Sequence, residues 1–178
     1  MIKNQDGDDI LDQSSVRDDI ERIIKELSIN RLYFFEVGKK QWQDIINNLE
    51  EEFLEKKHYS RSVHWGWEVL QEPRYALRFL NDDGYKYLNE FIDEDIIWLI
   101  AEDYKNKMWV YEGKADVIIS VIAESIYLKE YYLVSKKYEW ILCENHHAVI
   151  FGSGNKVVNK MRAFSNRHSD KLLFMGGI

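Results

Sequence analysis

The chain has 178 residues, 46% of them apolar, with six Trp, eleven Tyr and eight Phe; this excludes a disordered polymer and suffices for one domain with a real core. Its net charge of −7 argues against nonspecific nucleic-acid binding, which needs Lys and Arg to neutralise phosphates, and suits a basic protein partner. A single cysteine, Cys143, excludes an internal disulfide and a cysteine-based zinc site; with no long apolar run and no signal-like start, the expected setting is a soluble, reducing cytoplasm, with no membrane contact.

Residues 1–13 are polar and acidic and are expected to fray. Ser14 or Ser15 can then cap a helix, Asp18 and Asp19 suit its first turn, and Val16, Ile20, Ile23, Ile24 and Leu27 keep the helical period. Leu32–Val37, short and aromatic between Asn30 and Gly38, reads as a strand. Trp42, Ile45, Ile46, Leu49 and Phe53 mark a second amphipathic helix.

Ser62–Leu70 is ambiguous, because alternation suggests an extended piece and Gly66 interrupts it. If that piece is extended, Trp65 and Trp67 share one face. Tyr75, Leu77 and Phe79 alternate as in a strand, and Tyr85, Leu88, Phe91 and Ile92 fit a short helix. Ile96–Ala101 and Met108–Tyr111 predict two strands joined by the polar loop EDYKNK, with Gly113 ending the second. Ala115–Leu128 predicts a helix; Tyr131–Val134, Tyr138–Cys143 and Ala148–Phe151 predict three strands. The last two are apolar at nearly every position, which places them centrally with both faces buried. Asn155 can cap a helix to about Phe164, and the structure of the remainder is left open.

These elements make an α+β fold, a largely antiparallel β-sheet of about five to seven strands with helices packed on it. One domain is expected over 14–165, with 166–178 as a tail. After Asn155 the chain carries +4, against −11 for the rest, so this basic flank is expected to pair with the acidic body.

The stretch YEWILCENHHAVIFGSG, Tyr138–Gly154, gathers the residue types of a reactive site. On a strand, His146 and His147 would point to opposite faces; in a turn they could converge, but a metal needs further ligands at defined spacing. Cys143 amid Trp-Ile-Leu reads as a small buried hydrophobe rather than a nucleophile. Gly152-Ser153-Gly154 follows a strand and precedes a helix, but it lacks the third glycine of a dinucleotide fingerprint and the Lys-Ser/Thr of a P-loop, so a tight turn is favoured. Glu102 and Asp103 end one strand and Glu112 ends its partner; such acids could serve acid–base work and read better as a solvated rim. No metal, cofactor or catalytic residue is assigned.

Two segments carry a resemblance. WLIAEDYKNKMWVYEG and YYLVSKKYEWILCENHHAVIFGSG resemble an uncharacterised bacterial single-domain family with ED…WVYEG and VSKKYEW-LCENHH segments, over about Trp65 to Gly154. Such proteins often resemble the immunity proteins of polymorphic-toxin systems, and no catalytic motif comes with the likeness. The expected function is therefore a non-enzymatic protein-binding domain, an immunity-type inhibitor whose partner is a protein such as a basic toxin domain. Glu102, Asp103, Glu144, Asn145, His146 and His147 would make loop contacts at one end of the sheet, and Trp65 and Trp67 would anchor a second patch. The alternatives are a metal- or phosphate-dependent hydrolase using Glu144, His146, His147 and the Gly152–Gly154 loop, and a small-molecule-binding module with an aromatic-lined pocket.

Overall fold

The computed structural model describes residues 15–55, 63–103 and 107–177. The expected frayed start lies outside them, as does the centre of the EDYKNK loop. Ser15 opens α1 (Val16–Glu26) with a capping box: its hydroxyl accepts from the Asp18 backbone N–H while the Asp18 side chain accepts from the Ser15 N–H. β1 (Phe34–Glu36) and α2 (Lys39–Phe53) follow, then a single 3₁₀ turn over Gly66–Val69. β2 (Arg74–Phe79) leads to a second 3₁₀ segment, Gly84–Glu90, where the periodicity suggested a short α-helix.

β3 (Ile96–Glu102) and β4 (Met108–Lys114) form a hairpin, and α3 (Ala115–Glu124) starts directly from its second strand. Gly113 does not end β4. It faces β1, and a Cβ there would lie 2.6 Å from the Tyr33 carbonyl oxygen, so it allows the edge strand to approach closely. β5 (Tyr131–Ser135), β6 (Ile141–Glu144), β7 (Val149–Ser153) and α4 (Asn155–Arg167) complete the expected set. The tail then adds β8 (Leu172–Gly176).

The eight strands make one sheet in the order β1-β4-β3-β5-β6-β7-β2-β8, with every neighbouring pair antiparallel. This is an α+β fold with one strand more than the expected range, the extra one being β8. β5 and β6 sit at the centre, and β6 and β7 are interior, as their unbroken apolar runs require. One face packs against α1, α3 and α4 through Leu99, Tyr131, Leu133, Leu142 and Ile150. The other packs against α2 and residues 63–70 through Trp98, Ile100, Tyr132, Val134, Cys143 and Phe151. The alternation along each strand sorts neighbours between two cores, so β3 and β5 look uniformly apolar in sequence.

The basic flank behaves as its charge predicts. Lys156 Nζ lies 2.7 Å from Glu94 and 3.6 Å from Asp93, Lys160 pairs with Asp93, and Arg167 with Glu90 at 3.7 Å, so α4 is tied to the acidic segment before β3. The buried Trp140 indole joins this network by donating to Glu94 at 2.9 Å. No helix among the described residues is long and apolar enough to cross a membrane.

Candidate functional site

The β3–β4 hairpin, the β6–β7 turn and the entry to β5 all lie at one end of the sheet. The β6–β7 turn is built by Asn145. Its backbone N–H bonds the Val149 carbonyl at 3.1 Å, and its side-chain oxygen accepts from the His147 and Val149 N–H groups at 3.1 Å each. Ala148 takes φ +56° to close the loop. Asn145 is buried, so it shapes the turn rather than offering a contact. The turn pushes His146 and His147 outward with ring centroids 4.0 Å apart. Among the described residues no group of three His, Cys, Asp or Glu is placed to hold a metal ion.

Residues 63–70 lie over the α2 side of this end, and their anchoring is local. Val63 N–H donates to Glu50 at 2.8 Å, and the Val63 carbonyl accepts from the Tyr132 hydroxyl at 2.7 Å. Gly66 rests against Leu54 and the Tyr132 hydroxyl, where a Cβ would meet them at 3.3 and 3.4 Å. The segment is a turn, not an extended piece: Trp65 has φ +59° and Trp67 sits in the 3₁₀ turn. The two indoles still meet, at 6.1 Å between centroids.

They do not form a second patch. The His146 ring stands edge-on to Trp65 at 5.4 Å and to Trp67 at 6.2 Å, and Trp67 packs on Phe151 at 5.3 Å. Trp65 keeps 52% of its surface exposed. Trp65, Trp67, His146 and His147 are thus one aromatic patch over the α2-side end of the sheet.

Two carboxylates lie beside this patch. Glu102, at the end of β3, accepts from or donates to His64 Nδ1 at 2.7 Å. Glu130, just before β5, holds His146 through Nδ1 and takes the His146 backbone N–H at 3.5 Å. The Glu102 N–H bonds the Glu130 carbonyl, extending the β3–β5 ladder by one step and bringing the two side chains to the same face. Burial raises the Glu102 pKa; His64 opposes that rise, and the charge of Glu130 adds to it. Glu102 Oε2 and Trp67 Nε1 are buried and have no hydrogen-bond partner among the described residues.

The sequence reading did not select His64 or Glu130. The signal for Glu130 was its position one residue before an apolar strand, opposite Glu102 once β3 and β5 are paired; for His64 it was adjacency to Trp65. Two expected contact residues lie elsewhere. Glu144 pairs with Tyr131 in register, so it sits on the α1/α3/α4 face and accepts the Tyr131 hydroxyl. Burial pushes its carboxyl above the usual range, against the pull of that hydrogen bond. Glu144, His146 and His147 therefore do not converge on a reaction centre. Asp103 is buried at the hairpin and accepts from Trp109 Nε1 at 3.3 Å, so it is not a solvated rim group.

Cys143 is fully buried between the central strands, and burial pushes its thiol up, with the charge of Glu130 adding to that. A thiol held protonated is a poor nucleophile. Gly152 seats Met161 of α4, whose sulfur would stand 2.4 Å from an added Cβ; Gly154, at φ +104°, passes 2.4 Å from the Glu139 carbonyl on the same measure. Close packing thus accounts for both glycines. The helix they introduce is capped by Gly154, with Asn155 as its first residue.

Comparison with known families matches residues 12–165 to DUF6756, a family of unknown function. The chain belongs to that family. No curated protein and no solved structure matches it.

Proposed function

We propose that the protein is a non-enzymatic protein-binding domain of the cytoplasm, acting as an immunity-type inhibitor of a bacterial toxin, with the Trp65–Trp67–His146 patch as its contact surface. The observation that carries this reading is the half-exposed Trp65 indole, braced by Trp67 and His146 on a turn pinned to α2 and β5. A large aromatic held in place loses little freedom on binding, which is the property of interface anchors. The net charge of −7 and the two carboxylates beside the indoles favour a basic partner. The rival hydrolase reading requires Glu144 on the same face as His146.

The test is co-expression with the protein encoded beside this gene. Wild type is expected to bind that product and restore growth, and Trp65→Ala, which removes an exposed side chain, to weaken binding by tenfold or more, the loss of a typical hot spot. Absence of binding to any neighbouring product, with no protection of growth, overturns the proposal.

A further inference from the structure

We infer that the patch takes the guanidinium group of an arginine side chain, with Glu102 and Glu130 as its counter-charges. This deepens the protein-binding reading and rests on it only for the identity of the molecule carrying the arginine.

Three other carboxylates that are withdrawn from water in this fold have a cationic partner. Asp19 has Arg22 at 2.6 Å, Glu94 has Lys156 at 2.7 Å and Glu112 has Lys136 at 2.7 Å. Glu102 and Glu130 are as enclosed, with side chains 12% and 11% exposed, yet their ion-pair partners among the described residues are the imidazoles of His64 and His146. Two carboxylates side by side and out of water are costly unless a positive charge comes near. Each imidazole meets its carboxylate through a single ring nitrogen, Nδ1, and so satisfies one oxygen of the pair.

The geometry selects the kind of cation. Each carboxylate uses Oε1 on an imidazole, and Glu102 Oε2 is left without a donor. A guanidinium presents five N–H donors in a planar fork, which suits two neighbouring carboxylates better than the point charge of a lysine ammonium. Beside the carboxylates stand the indoles of Trp65 and Trp67, 6.1 Å apart, and flat cations stack on such faces. The two carboxylates and the flat faces of the indoles beside them together select a side-chain guanidinium over a free inorganic cation.

The probe is N-acetyl-arginine amide, titrated into the full chain at low salt and pH 7.5. Binding is followed by the indole N–H resonances of Trp65 and Trp67, assigned with Trp65→Phe and Trp67→Phe. Saturation with a dissociation constant on the order of 1 mM is expected, the scale open to so small a ligand. N-acetyl-citrulline amide, equal in shape and uncharged, should bind at least tenfold more weakly, and N-acetyl-lysine amide should fall between them. Glu130→Gln and, separately, Glu102→Gln should each weaken arginine at least fivefold, and Glu51→Gln on α2 should leave it unchanged. Circular dichroism melts confirm folding, and Trp65→Ala at the exposed rim provides the same readout should either glutamine variant unfold.

Failure to saturate, equal affinity for citrulline, or indifference to all three site variants overturns the inference, and would mean that the imidazoles alone compensate the carboxylates. A partner protein captured through Trp65 while the arginine amide fails to bind would overturn the arginine assignment and leave the protein-binding reading standing. Arginine amide binding that depends on the carboxylates, with no toxin among the neighbouring products, would support the assignment and overturn the immunity reading.

Discussion

Replacing Asp19 by Asn tests whether a buried carboxylate fastens α1 to the end of α3. The Asp19 side chain is 0% exposed. It accepts from the Ser125 hydroxyl at 2.6 Å, from the Ile126 N–H at 3.1 Å, and from Arg22 Nη2 and Nε at 2.6 and 3.2 Å. Asparagine keeps one acceptor, turns the other into a donor facing donors, and removes the charge. A hydrogen bond to a charged group contributes about 1.5–3 kcal/mol. Arg22 is 42% exposed, so water screens its share to below about 1 kcal/mol. The expected loss is therefore about 2–3 kcal/mol, set mainly by Ser125 and Ile126, which corresponds to roughly 4–12 °C in Tm for a chain of this size. Urea unfolding followed by circular dichroism measures it.

The pH dependence gives a second check. Burial alone would raise the Asp19 pKa, but its hydrogen bonds to Ser125, Arg22 and Ile126 outweigh this and hold it below the ordinary 3.8. A depressed carboxylate contributes stability that is complete above its unfolded value and disappears as pH falls through its folded value. The gap between wild type and Asp19→Asn should be constant from pH 7 to about 5 and close below about 4. A gap under about 0.5 kcal/mol at pH 7, or one that persists unchanged at pH 3, would refute the reasoning.

Gly154→Ala should destabilise by about 3 kcal/mol or more, because φ +104° is strained for any L side chain and the new Cβ meets backbone at Glu139 and Trp140, which cannot rotate away. A loss below 1 kcal/mol in the same urea assay would return the Gly-Ser-Gly turn to consideration as a ligand loop. Glu144→Gln should have the opposite sign. The Glu144 pKa is raised above 4.5, so the native state loses stability as pH climbs from that value through the folded one; the amide removes this slope while its oxygen still accepts from Tyr131. The variant should match or exceed wild type at pH 7, and a variant that lags further as pH rises from 5 to 7 would contradict this.

The sequence was most informative where one residue's environment is set by its near neighbours. The three- and four-residue spacing of Ile20, Ile23 and Ile24 reports a face, and α1 buries it. The apolar runs of β6 and β7 report burial on both sides, and both strands lie in the interior of the sheet. β8 gave no such report: as an edge strand it leaves Leu173, Phe174 and Met175 exposed, so no alternation marks it, and its pairing with β2 spans nearly a hundred residues.

The site shows the same limit. Glu130 and Glu102 are neighbours only through the β3–β5 register, and no local pattern encodes that. Glu144 was grouped with His146 by proximity along the chain. Strand parity would have kept residues 144 and 146 together, but the turn formed at Asn145 breaks parity and separates them to opposite faces. Trp65 and Trp67 meet, but through a turn and not along one face of an extended strand.

The strand order has a consequence for how the protein is made. β2 lies between β7 and β8, and neither native neighbour exists until about seventy residues after Phe79 have been added, roughly 4–14 s of synthesis at ribosomal speed. Over that interval Leu77 and Phe79 belong to a segment with both edges open, while the β3–β4 hairpin next to it in sequence can already close. β2 can therefore take its native place only late, between two strands that are both made after it.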